Sequence, residues 1–102
     1  MIVSEPQLIA AITRDNAAGK RIGFVRASFE LLRLDVVRML QASAAKSDRL
    51  VVAVIDAGGD SPVLSVQDRA ELVDGLRVVD YVIICANDEV DRLMALLAPY
   101  VT

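Results

Sequence analysis

Three apolar runs along the chain have the length and composition of β-strands. Residues 50–55 are a near-continuous β-branched run, which suits a parallel strand buried on both faces. Residues 21–25 and 81–86 are the other two runs. The pattern therefore predicts three strands, and residues 100–102 are the start of a possible fourth.

Four further segments show apolar residues at helical spacing, with start and stop signals. The first helix begins after Ser4, which can cap it, and stops near Gly19. The third runs from the capping-box pattern at Ser65 to about residue 77, and the fourth covers residues 88–97, with Asn87 as its cap. The second runs over about residues 31–45. The predicted apolar stripes are Leu8, Ile9 and Ile12 in the first helix and Leu32, Val36, Met39, Leu40 and Ser43 in the second.

The order of these elements is one helix, then strand and helix alternating three times. Alternation of this kind predicts an α/β fold, in which helices cover both faces of a parallel sheet. The 102 residues suffice for one domain, so we assign residues 1–102 to a single domain.

Composition narrows the classes of function. The net charge of −3 argues against a nucleic-acid partner, since duplex binders carry a basic surplus. The chain contains no histidine, which excludes a histidine general base, histidine metal ligands and Ser-His or Cys-His pairs. The single cysteine, Cys85, lies in an apolar run and is interpreted as a buried structural thiol.

No signal peptide is evident, and no apolar run approaches the roughly 20 residues that cross a bilayer. A cytoplasmic location without a membrane partner is therefore the expectation.

Three stretches resemble one known family. They are Ala18-Gly-Lys-Arg-Ile22, Asp68-Arg-Ala-Glu-Leu-Val-Asp-Gly-Leu-Arg-Val-Val-Asp-Tyr-Val82, and Ala27-Ser-Phe-Glu-Leu-Leu-Arg-Leu-Asp-Val36, which stands where the family has Gly-Cys-Phe-Asp-x-x-His-x-Gly-His. Order and spacing resemble the cytidylyltransferase-like nucleotidyltransferases over nearly the whole chain. The similarity is strongest to the nucleotidyltransferase domain of the ADP-heptose synthesis enzymes and to glycerol-3-phosphate cytidylyltransferase.

The resemblance implies a three-layer, Rossmann-like parallel sheet of order 3-2-1-4, truncated at its C-terminus. Its site would lie at the carboxyl ends of strands 1 and 4. The chain ends at Thr102, before the family's Arg-Ser-x-x-x-Ser/Thr signature.

The family's phosphate-handling residues are replaced in this chain. Its two histidines hold the phosphates of the nucleoside triphosphate, and their positions are Arg33 and Val36. The glycine between them is Asp35, the family's aspartate is Glu30, and a helix lysine aligns with Ala44. Arg33 can still bind phosphate, but it cannot exchange a proton near neutral pH.

A residual nucleotide or phosphate pocket is predicted at the first strand–helix junction. Its residues are Arg26, Ala27, Ser28, Phe29, Arg33 and Arg69. For the arginines around the junction, which include Arg38, the alternative is a solvated basic face. For Arg69 it is a surface position on the helix, paired with Asp68, Glu71 or Asp74.

Other polar and aromatic residues have simpler interpretations. Asp56 and Asp60 are read as turn residues rather than as ligands of Mg²⁺ or a ribose. Tyr81 and Tyr100 are read as strand packing rather than stacking platforms. The acidic residues Asp88, Glu89 and Asp91 are read as partners of the last helix dipole.

Three hypotheses follow. The leading one is a catalytically degenerate nucleotidyltransferase-like domain, a nucleotide- or anion-binding or assembly protein that forms a homodimer. The alternative is an active enzyme that transfers a nucleotidyl group from CTP or ATP to a sugar or polyol phosphate. The third is a structural partner of an active paralogue. No cofactor is predicted, except Mg²⁺ if a nucleotide is bound.

Overall fold

The computed structural model describes residues 1–28, 34–56 and 65–98, and within them helices and strands alternate in the predicted order. The elements are α1 (Glu5–Ala17), β1 (Ile22–Ala27), α2 (Leu34–Ala45), β2 (Arg49–Asp56), α3 (Val66–Asp74), β3 (Tyr81–Ala86) and α4 (Asn87–Leu97). Strand β3 has the predicted bounds, and the other two strands each extend beyond the predicted run.

The three strands form one parallel sheet in the order β1-β2-β3. Ile22 pairs with Arg49 and Val51 pairs with Tyr81, so β2 is hydrogen-bonded on both edges. The three described strands therefore have the predicted order 3-2-1. The possible fourth strand at residues 100–102 lies outside the described residues.

Helices cover both faces of the sheet, as the alternation predicted. One face carries α1 and α4, and the other carries α2 and α3. Alternate residues of β2 point to opposite faces, with Val51 and Ala53 in the first apolar cluster and Val52 and Val54 in the second. All four are fully buried, which explains why this strand is apolar throughout.

Two predicted helix caps are confirmed. The Gln7 main-chain N–H donates to Ser4 Oγ at 3.3 Å, and the Ser4 N–H donates to Gln7 Oε1 at 2.9 Å. The Asp68 N–H donates to Ser65 Oγ at 3.1 Å. Gly19, which follows α1, has a φ of 81°, a value that favours glycine over residues with a side chain.

Three details of the predicted helices are wrong. The N-cap of α4 is Ala86, not Asn87, and the Ala86 N–H donates to Glu89 Oε1 at 3.0 Å. Helix α3 ends three residues earlier than predicted because the chain leaves the helix at Gly75, a poor helix former. Met39 is 40% exposed, since the buried stripe of α2 passes through its neighbour Leu40.

The first residues add a contact that the sequence pattern did not indicate. Ile2 forms a parallel bridge with Val82, outside the three named strands. The Val3 N–H donates to Val82 O at 2.8 Å, and the Val82 N–H donates to Met1 O at 2.8 Å. This short segment covers part of the outer edge of β3, and Val3 is buried beneath α1 and α4 in the first cluster.

Candidate functional site

The candidate site is the edge of the sheet at which β1 and β2 end and α2 and α3 begin. In parallel α/β sheets, ligands bind outside the carboxyl ends of the strands, where the N-termini of the following helices supply unpaired N–H groups. Ser65 already caps α3 through the Asp68 N–H. The remaining chemistry of this edge therefore depends on the side chains around it.

Arg69 is the charged group at the centre of this edge. It lies one turn into α3 and is only 6% exposed. Its Nη1 donates to Ser28 O at 2.6 Å and reaches Ile55 O at 3.4 Å. Ser28 follows β1 and Ile55 lies near the end of β2, so one guanidinium contacts the main chain at the ends of two neighbouring strands.

The alternative interpretation of Arg69 as a surface arginine is wrong. The residue is buried, and its described hydrogen-bond partners are main-chain carbonyls rather than Asp68, Glu71 or Asp74. Its Nε is buried without a hydrogen-bond partner among the described residues. Among the described residues, the guanidinium of Arg69 thus pairs with main-chain carbonyls and with no carboxylate, so its positive charge is only partly compensated.

Arg26 lies on the opposite face of the sheet from Arg69. Successive residues of β1 alternate between faces, and Phe24 packs with the α1/α4 cluster while Ala27 packs with the α2/α3 cluster. Arg26 Nη1 donates to Asp91 Oδ1 of α4 at 2.6 Å. The structure thus brings Ala27, Ser28 and Arg69 together and places Arg26 apart from them.

The start of α2 carries no histidine and no buried charge. Val36, at the position of the family's second histidine, packs against the apolar α2/α3 cluster, as does Ala44. Asp35 is exposed, and its Oδ1 accepts a hydrogen bond from the Val36 N–H at 3.0 Å. The predicted site residues Phe29 and Arg33, and also Glu30, lie outside the described residues.

Two carboxylates lie at this same edge. Asp56 ends β2 and is exposed, and Asp35 is in the first turn of α2. Asp60 and its loop lie outside the described residues. Within residues 1–28, 34–56 and 65–98, no group of three or more acidic or cysteine side chains is arranged to hold a metal ion. The interpretation of Asp56 as a turn residue is wrong, because Asp56 is the last residue of β2 and pairs with Ala86.

The opposite edge of the sheet contains a polar cluster that the sequence did not predict. Asp15 is 6% exposed, and its Oδ2 accepts a hydrogen bond from the Tyr81 hydroxyl at 2.7 Å. Arg49 Nε lies 3.6 Å from the same oxygen, and Arg14 Nη2 donates to the Tyr81 hydroxyl at 3.3 Å. One signal was present: Asp15 continues the buried stripe of α1 three residues after Ile12.

Burial governs the two titratable side chains of β3. It raises the pKa of Tyr81, and the hydrogen bond to Asp15 adds to the effect. Burial also raises the pKa of the Cys85 thiol, with the Glu89 carboxylate as a smaller cause. The packing role predicted for Tyr81 and the burial predicted for Cys85 are both confirmed.

The parallel sheet and the helices on both of its faces define the chain as a Rossmann-like α/β domain of the nucleotidyltransferase type. No protein-family model matches the chain. None of the helices that the structure describes is long and apolar enough to span a membrane.

Curated relatives share the name "Bifunctional protein HldE". The protein of Halorhodospira halophila is 34% identical over 105 residues, which cover 96% of this chain and 22% of the relative. That of Azotobacter vinelandii is 35% identical over 100 residues, covering 91% and 21%. That of Coxiella burnetii is 33% identical over 105 residues. The chain therefore spans about a fifth of the length of the curated relatives that it matches.

A solved structure agrees with these relatives. The crystal structure of the lipopolysaccharide core biosynthesis protein from Thermoplasma volcanium matches with a TM-score of 0.64 and 26% identity. The match covers 80% of this chain and 69% of that chain. These similarities support the resemblance of the chain to the cytidylyltransferase-like nucleotidyltransferases.

Proposed function

We propose that this chain is a catalytically degenerate nucleotidyltransferase-like domain that binds a nucleotide or a phosphate, or supports an assembly, without transferring a nucleotidyl group. The observation that carries the proposal is the packing of Val36. At the position of the family's second histidine, this side chain lies against the apolar α2/α3 cluster. It offers no hydrogen bond and no charge to a phosphate.

The number of phosphate-handling groups that the chain has lost supports the absence of catalysis. Removing one preorganised donor to a transition state costs roughly 10²–10³ in rate. By the resemblance, Arg33 and Val36 replace both histidines, Asp35 replaces a glycine, and Ala44 replaces a lysine. The losses do not multiply fully, because such groups act as a unit. A rate ordinary for the family is nevertheless beyond the groups that remain.

Residual anion binding is supported by the partly compensated charge of Arg69. A buried cation close to the N-terminus of α3 adds to the positive end of the helix dipole. Ala27 and Ser28 lie at the same edge, and Arg33 would supply a second positive charge. Arg26 contributes least, since its guanidinium pairs with Asp91 on the other face. Mg²⁺ enters only with a bound nucleotide.

Calorimetric titration tests the binding part of the proposal. The full chain is titrated with CTP, ATP and inorganic phosphate, each with and without Mg²⁺. We expect heat at millimolar or lower nucleotide, reduced in Arg33→Ala and little changed in Arg26→Met. The absence of heat at millimolar concentrations of all three ligands would remove ligand binding from the proposal.

An active transferase is the second candidate, and the retained Arg69 and the HldE relatives favour it. In that case Arg33 holds the phosphates, and the chain releases pyrophosphate from CTP or ATP in the presence of a sugar or polyol phosphate. We expect no release above the background of a heat-inactivated sample. Turnover that Arg33→Ala abolishes would replace the degenerate-domain proposal by the enzyme.

An assembly role is supported by exposed apolar side chains on three helices. The large ones are Leu34 and Met39 of α2, Leu72 of α3, and Met94 and Leu96 of α4. A homodimer or a complex with an active paralogue would cover some of them. Sedimentation equilibrium of the isolated chain tests this role. A dimer supports self-association, and a monomer at high concentration argues against an assembly role for these side chains.

A further inference from the structure

We infer that Arg69 is a positioning residue, which acts on the candidate site by holding the ends of β1 and β2 in place through main-chain carbonyls. Its Nη1 lies 2.6 Å from Ser28 O and 3.4 Å from Ile55 O. One carbonyl lies just after β1 and the other near the end of β2, and they belong to no common turn. The guanidinium is therefore a cross-link at the edge where the parallel ladder stops.

The burial of Arg69 argues against direct contact between its guanidinium and a ligand. At 6% exposure, Arg69 offers almost no surface to a ligand that arrives from solvent. Its first effect on a bound anion is therefore exerted through the position of the main chain at Ser28. The strand pairing between Ala27 and Val54 ends just before this contact, so the ladder alone does not fix Ser28.

The cost of the buried charge makes the role specific to arginine. A desolvated cation without a carboxylate is expensive, and the unpaired Nε adds to that cost. The planar guanidinium donates from one nitrogen to two carbonyls. Lysine keeps the charge, but it places a single ammonium on a shorter stem.

Hydrogen exchange on the unliganded full chain tests the inference. We expect amides of residues 25–28 and 53–56 to exchange roughly 10- to 100-fold faster in Arg69→Met, the factor set by losing hydrogen bonds from a charged donor. Arg69→Lys should give an intermediate increase. The matched control is Arg77→Met, an exposed arginine just beyond α3, which should leave these amides unchanged.

The outcomes separate this inference from the proposed function, on which its consequence for ligand binding depends. If Arg69→Met exchanges like Arg77→Met, the cross-link is refuted. Nucleotide affinity should fall about tenfold in both Arg69 variants. Full affinity in Arg69→Lys would show that the positive charge alone suffices, and this result would also refute the cross-link. If Arg69→Met does not fold, exchange in Arg69→Lys decides by the same criterion. An absence of nucleotide binding by the unmodified chain removes nucleotide binding from the proposed function, while the exchange result still tests the cross-link.

Discussion

At the N-terminal edge of the sheet the buried charge is Asp15, and at the carboxyl edge it is Arg69. Both are 6% exposed. Asp15 receives a hydrogen bond from Tyr81 and lies 3.6–3.7 Å from guanidinium nitrogens of Arg14 and Arg49. Among the described residues, the hydrogen-bond partners of the Arg69 guanidinium are two main-chain carbonyls, and its Nε has no partner.

The two edges differ in how completely the protein compensates a buried charge. The N-terminal edge compensates its charge within the protein, so it has little left to offer a ligand. At the carboxyl edge the described partners of Arg69 are neutral carbonyls, which leaves its positive charge incompletely compensated and costs stability. This difference agrees with the position of ligand sites in parallel α/β sheets.

The largest expected change in stability comes from removing the Asp15 carboxylate at the N-terminal edge. Asp15→Ala leaves the Tyr81 hydroxyl without its acceptor and two arginines without their countercharge. We expect the free energy of unfolding to fall by about 2–4 kcal/mol. Arg69→Met removes a costly buried charge along with its hydrogen bonds, so its loss should be smaller, at about 1–2 kcal/mol. Urea denaturation of both variants checks this contrast. Equal losses would contradict the difference between the edges.

A close main-chain approach at the N-terminal edge gives the next effect. A Cβ added at Gly23 would lie 2.7 Å from Ser47 Oγ and 3.2 Å from Ser47 Cβ. Gly23→Ala should therefore cost about 1–3 kcal/mol by overpacking. Because Ser47→Ala removes the nearer atom, the double variant should recover more than half of that loss. A double-mutant cycle by urea denaturation measures the coupling, and additive losses would argue against this contact as the cause.

Tyr81→Phe is a gentler test of the same edge. It leaves Asp15 buried with one donor fewer, and we expect a loss of about 1–2 kcal/mol at neutral pH. Because the pKa of Tyr81 is raised in the folded chain, its stabilisation is fully present below the ordinary value of about 10 and is lost as the pH rises through the raised value. The difference between the two proteins should therefore shrink at alkaline pH. Thermal unfolding at pH 7 and above pH 10 provides the comparison.

The smallest effect concerns an exposed pair at the N-terminal edge. The Arg21 main-chain N–H, followed by its guanidinium, lowers the pKa of Asp48. The stabilisation is present above the ordinary pKa of about 3.9 and is lost as the pH falls through the lowered value. Asp48→Asn should be less stable than the unmodified chain near neutral pH, and the two should converge in strong acid. A constant difference across the acid titration would disprove the assignment.

Local signals account for most of the fold that the sequence predicted. Ser4 and Ser65 cap their helices through contacts three residues away, and the apolar run of β2 needs no partner to be recognised. Alternation of strands and helices then fixes a parallel sheet. These features lie within windows of a few residues, which is the range over which periodicity is informative.

The features that were missed depend on residues far apart in the chain. Tyr81 meets Asp15 across 66 positions, and Val82 meets Ile2 across 80. Helical spacing on α3 indicated only that Arg69 lies near acidic neighbours, not that it is buried under two strand ends. Tertiary packing determines such a partner, and a local sequence pattern contains no information about it.

The pairing of β2 has a consequence for how the chain emerges during synthesis. Its partner residues in β1 precede it by 27 positions, and those in β3 follow it by 30, as in Ile22 with Arg49 and Val51 with Tyr81. A nascent chain that has reached residue 56 has therefore exposed its most apolar segment with one edge still open. Until residue 86 has left the ribosome, that edge is a template for pairing with another chain, so protection by a chaperone matters most over this interval.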